Sequence, residues 1–333
     1  MINKVTLPNL FIVKTPLQII NSIEAVNYFN LTNNVLILIS SSDNQNYKQM
    51  TNLINLYNWH QVIKIEGKAS FFKYLSLIKE LKKEKYNFIF FARFGSMQRL
   101  ILSNVNKEKV YYFDDGTETI TMYNEMLLPN KINQFNLRHL FRFRFLLFGL
   151  KVNITDTINL FTYFDLKPFE KSEVVLNKLE YFREKYLKPS AESQLVYLLG
   201  QPLYEKNLVS EKTYLDCIKK IKSTSNKKII YIPHKGESDS SKVLSLIDDT
   251  FDVKHIDIPI ELYFLGNKIK PSHIVSFFTT AFFTLKLFYP NTKFESIYIP
   301  KEEILNKADI IESHYDFIFS IGINKLEKLN NEL

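Results

Sequence analysis

The 333-residue chain has little glycine and almost no cysteine, with 8 Gly and 1 Cys. The lone Cys217 excludes an intramolecular disulfide and a cysteine-rich zinc site, and it points to a reducing compartment. The few glycines nowhere form GxGxxG or the P-loop pattern, which excludes the common dinucleotide and nucleoside-triphosphate turns. There is no HExxH and no close His/Cys pair of the kind that holds catalytic zinc. Apolar runs fall short of the roughly 18 residues that cross a membrane. The longest candidate, Ile274 to Leu285, is interrupted by Ser276, Thr279 and Thr280. The N-terminal MINKVTLPNLFIVKTPLQII has no small-residue cleavage site and runs into a first strand, so it reads as fold and not as a signal peptide. Zinc-finger, homeodomain and ribonucleoprotein motifs are missing, and no nucleic-acid partner is expected.

What is present is a large apolar fraction, 46%, enough for a sizeable core. Lys plus Arg number 43 against 35 Asp plus Glu, a net charge of +8. That balance suits an anionic partner such as a nucleotide, an acidic sugar or an anionic membrane. A general abundance of lysine would give the same balance.

Strand-like and helical patterns alternate along the chain. Strands are expected at Asn9–Thr15, Asn34–Ser40, Gln61–Glu66, Asn87–Arg93 and Lys109–Phe113. Helices are expected between them at Leu17–Tyr28, Tyr47–Tyr57, Ser70–Glu84 and Ser96–Asn104. After residue 185 the pattern restarts. Strands are expected at Leu195–Leu199, Lys228–Pro233, Val253–Asp257, His273–Phe277, Ser296–Ile299 and Phe317–Ile321. Helices there fall at Glu211–Ser225, Ser240–Asp248 and Thr280–Phe288. Continuous apolar strands between amphipathic helices imply parallel sheets covered on both faces. The expected fold is α/β: two Rossmann-like domains facing a cleft, the GT-B layout, with other two-domain α/β architectures open on periodicity alone. The first domain spans 1–155, a linker 156–190 and the second domain 191–333.

Four segments place chemistry-bearing residues at expected strand ends, where open α/β sheets keep their sites. Asp114, Asp115, Gly116 and Thr117 follow the apolar run KVYYF. A carboxylate there can be a base, a metal ligand or a cap, and alternation sends only one of the pair to a given side. His234, Lys235 and Gly236 follow KKIIYIP, where imidazole and ammonium donors can meet a phosphate. Ser276, Thr279 and Thr280 end a strand and open a helix, a setting for either an anion site or a simple cap. Thr15, Pro16 and Gln18 follow the first strand, with proline at an early helical position, in either a site-lining loop or a plain turn. A fifth stretch, Arg138–Lys151, interleaves arginine with Phe and Leu. It reads as a peripheral membrane contact, a core helix with snorkelling arginines, or a homodimer contact.

Taken in order, LFIVKTPLQIINSIEA, YFDDGTE, IPHK and FFTTAFF resemble the motifs of the bacterial lipooligosaccharide sialyltransferases, glycosyltransferase family 52. Lys235 stands where those motifs carry proline after histidine, and threonines replace their serines. The resemblance implies inverting transfer of sialic acid from CMP-sialic acid to a galactose hydroxyl of a surface glycan, α-2,3 being the expected linkage. It implies one carboxylate of the Asp114–Asp115 pair as general base, Asp114 being favoured by position, His234 neutralising or protonating the departing phosphate with Lys235, Thr279 and Thr280, and Glu261 at the cytidine ribose. No cofactor or metal is expected beyond the donor itself, because a single phosphate makes less demand for a divalent ion than a diphosphate. The implied partners are the nucleotide sugar and an oligosaccharide or glycolipid acceptor, in the cytoplasm or on the inner face of the cell membrane. The family also contains glucosyltransferases, so another nucleotide-sugar transferase stays open, as does a non-catalytic glycan- or nucleotide-binding protein.

Overall fold

The computed structural model describes residues 6–39, 45–65, 70–116, 118–134, 137–188, 191–237 and 242–326. The chain forms two compact units, residues 1–182 and 183–333. Each is built on an all-parallel sheet.

The first sheet contains β1 (Asn9–Val13), β2 (Asn34–Ile39), β3 (Gln61–Ile65), β4 (Lys85–Phe91), β5 (Asn106–Phe113), β6 (Ile158–Thr162) and β7 (Val174–Leu176). Its order is β3-β2-β1-β4-β5-β6-β7. NLFIV, NVLILI and INLFT are buried along their whole length, as expected of central parallel strands covered on both faces. Aromatic side chains reinforce the register across neighbouring strands. Phe11 of β1 stacks on Phe90 of β4 at 4.7 Å between ring centroids, and Phe90 stacks on Tyr111 of β5 at 5.3 Å. Such cross-strand pairs add stabilisation beyond area burial.

The second sheet contains β8 (Glu192–Leu199), β9 (Ile229–Ile232), β10 (Phe251–Val253), β11 (Lys270–Ser276), β12 (Lys293–Ser296) and β13 (Asn324–Lys325). Its order is β10-β9-β8-β11-β12-β13. Both sheets reverse their winding once, between β1 and β4 in the first and between β8 and β11 in the second. Those reversals are topological switch points, where α/β proteins open a crevice at the carboxyl ends of the strands.

Several expectations need correction. The segment 156–190, expected as a linker, supplies β6 and β7 to the first sheet. Their apolar runs are short and follow an irregular stretch, which hides their pairing with β5. Phe317–Ile321, expected as a strand, closes the helix Ala308–Ser320. Its buried Ile311, Tyr315 and Ile318 recur at helical spacing, and a short apolar run by itself does not separate the two periods. The strands expected at 253–257 and 296–299 lie a few residues earlier, as β10 and β12. Ser240–Asp248 is shortened to a 3-10 turn, Lys242–Leu246, and an unforeseen helix spans Ile260–Gly266. Among the described residues no helix is long and apolar enough to cross a membrane.

Candidate functional site

In the first unit, residues from three strand ends converge at the switch point. Thr15 follows β1 in extended backbone and caps the helix Pro16–Tyr28, its Oγ1 accepting from the Gln18 amide at 3.4 Å. Such a cap is worth about 1 kcal/mol. The same hydroxyl donates to Asp115 Oδ1 at 3.2 Å. Arg93, after β4, ion-pairs with Asp115 through its Nε. It holds a left-handed φ of 62° that a residue with a Cβ adopts only at some cost. Lys14 completes the group; burial and the nearby Arg93 charge lower its pKa, while Asp115 opposes them. Gln18 is buried, with Oε1 accepting from the Lys14 amide at 2.6 Å. Pro16 occupies the first turn of the helix and is buried. Gly116 turns the chain with a φ of 68°, a conformation that favours glycine. Thr117 lies outside the described residues.

The two adjacent aspartates have opposite fates. Asp114 is 0% exposed, and its carboxylate accepts from Thr162 Oγ1 and the Tyr163 amide, both at 2.7 Å. Its own carbonyl accepts from Asn21 Nδ2 at 2.9 Å. Burial raises its pKa to about 7 against the opposing effect of these hydrogen bonds. Asp114 therefore clamps β5 to β6 and to the first helix. The expected assignment of Asp114 as the base is corrected on this ground, since its oxygens have no surface and both are engaged. The signal for the clamp, Thr162 and Tyr163, sat in the presumed linker and was missed.

In the second unit, the loops after β8, β9 and β11 meet at the other switch point. His234 follows β9, and its Nδ1 accepts from the Gly236 amide at 3.0 Å. Partial burial, then the charges of Lys235 and Lys206, depress its pKa to about 4. The ring is therefore neutral at pH 7, and its proton sits on Nε2. In the free protein His234 therefore offers a neutral N–H. Lys235 and Gly236 are exposed beside it.

Ser276 is also corrected. It is fully buried, and its Oγ donates to the Leu199 carbonyl at 2.7 Å, tying β11 to β8. It offers no hydroxyl to a ligand. Thr279 and Thr280 are partly exposed at the start of the helix Ala281–Phe288. Thr279 Oγ1 accepts from the Ala281 amide at 3.3 Å, whereas Thr280 makes no side-chain cap. Glu261 lies in the first turn of the helix Ile260–Gly266, buried, and accepts from Thr284 Oγ1. Burial raises its pKa and the Lys235 charge works in the other direction, so the two side chains share one electrostatic environment. Among the described residues no three His, Cys, Asp or Glu side chains cluster as metal ligands.

No protein-family model matches the sequence, and no curated protein matches it. Among solved structures, the chain is similar to a UDP-GlcNAc 2-epimerase from Methanocaldococcus jannaschii in complex with UDP-GlcNAc and UDP. The identity is 14% and the TM-score 0.53, over 96% of this chain and 88% of that one. It is also similar to a protein from Listeria monocytogenes assigned as a UDP-N-acetylglucosamine 2-epimerase. There the identity is 8% and the TM-score 0.52, over 82% and 74% of the two chains. The fold is therefore of the GT-B type, two Rossmann-like α/β domains in one chain.

Proposed function

We propose that the chain is an inverting glycosyltransferase that moves sialic acid from CMP-sialic acid to a terminal galactose of a bacterial surface glycan, lipooligosaccharide or capsule, in α-2,3 linkage. The observation that carries this reading is the His234 loop: a neutral imidazole held as an Nε2–H donor beside Lys235, at the switch point of the second sheet. One donor and one nearby ammonium suit the single phosphate of a CMP sugar. The likeness to structures holding a uridine nucleotide supports a nucleotide-sugar enzyme as the broader class.

Asp115 is the general base in this reading. It stands at the strand end, its own side chain 6% exposed beneath the half-exposed Arg93 side chain that a substrate has to displace. Asp115 takes the proton of the acceptor hydroxyl as that oxygen bonds to the anomeric carbon. The bond from that carbon to the phosphate oxygen breaks on the opposite face, and its electron pair leaves with CMP. His234 Nε2–H, Lys235 and the Thr279 and Thr280 hydroxyls stabilise the charge on the departing phosphate. Glu261, next to Lys235, is the residue for the cytidine ribose. Thr15, Pro16 and Gln18 form the acceptor side with Gly116.

A second reading, a transferase or epimerase acting on a UDP sugar, is favoured by the nucleotide bound in the similar archaeal structure. Thermal shift separates the two, since a ligand at 100 times its Kd stabilises the folded state by about 2.7 kcal/mol. CMP is expected to raise Tm where UDP does not. A shift with UDP alone sinks the CMP reading.

A further inference from the structure

We propose that Glu237, a residue assigned no part in the chemistry above, is the positioning residue that holds His234 with its Nε2–H presented to the leaving group. The arrangement is a hydrogen-bond network joining strand-end loops. The Gln201 amide, after β8, donates to the Tyr214 hydroxyl at 3.1 Å. Tyr214 and Tyr231 share a hydroxyl–hydroxyl bond of 2.8 Å. The Tyr231 hydroxyl donates to Glu237 Oε2, and Glu237 Oε1 accepts from the His234 amide at 2.6 Å. The Gln201 side chain in turn accepts from the Phe278 amide at 2.8 Å, adding the loop after β11.

The Gln201 amide can only donate, and both phenols reach Glu237 Oε2, Tyr231 as the close donor and Tyr214 at 3.5 Å, so the carboxylate is the acceptor on which the network ends. An ionised carboxylate accepts at both oxygens, because the His234 amide also donates. A carboxamide presents an NH2 at one of these two ends, where the carboxylate presents an acceptor. The phenols are buried, Tyr214 at 0% and Tyr231 at 1% exposure, so a mismatch has no water to repair it. Gly200 makes the approach possible, since a Cβ there would overlap the Glu237 carboxylate and the Tyr231 hydroxyl. The groups facing Glu237 are Tyr231, Tyr214, Glu205 and the His234 amide, with Lys235 and Lys206 acting on the imidazole. Burial raises the Glu237 pKa to about 7, so its protonation falls within reach of ordinary assay conditions.

The test compares the parent protein with Glu237→Gln and Tyr231→Phe, the second keeping the carboxylate and removing its nearer phenol donor. Ring 15N spectroscopy of His234 is expected to show one Nε2–H tautomer in the parent and a tautomer mixture in both variants. In the transfer assay Glu237→Gln is expected to lose about 10- to 100-fold in kcat, with donor KM changed less than about threefold. Its pH profile should lose the limb that rises through about 7 in the parent. Parent-like ring spectra and kcat in both variants overturn the proposal. The kinetic arm rests on the proposed transfer, whereas the tautomer does not. Absence of transfer in the parent therefore removes that function and leaves the positioning role to be decided by the spectra.

Discussion

Arg93 lies across the carboxylate of Asp115, an ion pair joining the end of β4 to the end of β5. It covers one aspartate of the pair with a half-exposed cation, while its neighbour is sealed inside. If Asp115 is the base, Asp115→Asn should cut kcat by about 10²- to 10³-fold. Single-turnover transfer from CMP-sialic acid to a galactoside measures this. Parent-like turnover in Asp115→Asn would return the role to another group.

Asp114 should be visible through stability and not turnover alone. Its folded pKa of about 7 lies above the ordinary aspartate value of 3.8, so the native state holds the proton more tightly. The associated stability is complete below the unfolded pKa and is lost as pH rises through about 7. Between pH 5 and pH 8 this one group should cost on the order of 2–3 kcal/mol. Asp114→Asn, which mimics the protonated form, should flatten that part of the curve. Urea unfolding at the two pH values decides it, and an unchanged slope refutes the buried-acid assignment.

Ser276 should behave as a staple. Ser276→Ala removes its bond to the Leu199 carbonyl and leaves a buried acceptor unpaired, a loss of about 1–3 kcal/mol. Donor affinity, by contrast, should move little once the protein is folded. Thr280→Ala is the complementary case, with little effect on Tm and weakened CMP binding by calorimetry. The opposite pattern for the two residues would reverse their roles.

A peripheral membrane contact is a separate prediction with its own test. Leu147 is 86% exposed and Phe72 72% exposed, and Phe148 packs on Phe71 with ring centroids at 5.1 Å. Arg144 is exposed in the same stretch, while the side chains of Arg138 and Arg142 lie outside those described. An apolar patch beside a basic residue suits an anionic lipid surface. Flotation with phosphatidylglycerol vesicles should fall sharply in the double variant Phe72→Asp, Leu147→Asp. Equal flotation of parent and variant removes the membrane role.

Full transfer in EDTA is expected for a donor with one phosphate. Strict dependence on added manganese would show instead that the acidic residues work through a metal.

Much of the fold was legible because its central strands are long apolar runs of β-branched and aromatic residues. NVLILI and KVYYF, set between amphipathic helical patterns, suit strands of a parallel sheet covered on both faces. The strand ends were legible for the same reason, which is why Thr15, Asp115 and His234 were found as candidates. Arg93 went unnoticed because it looked like the last residue of a strand, and its left-handed backbone is set by the turn it makes. Glu237 lay only three residues past His234, but its partners Tyr214 and Gly200 come from elements that adjacency in sequence does not connect.

By itself, then, the sequence determined the α/β class, the approximate strand positions and the carboxyl-end loops that carry polar chemistry, since hydrophobic periodicity and chain punctuation are local properties. Only the tertiary structure decided which aspartate is buried, which hydroxyl is spent on a neighbouring carbonyl, and which nitrogen of His234 carries the proton. Each of those depends on a partner supplied from elsewhere. Thr162 reaches Asp114 from 48 residues away and Leu199 receives Ser276 from 77, while the Gly236 amide that sets the His234 tautomer reaches it only because the loop folds back on itself.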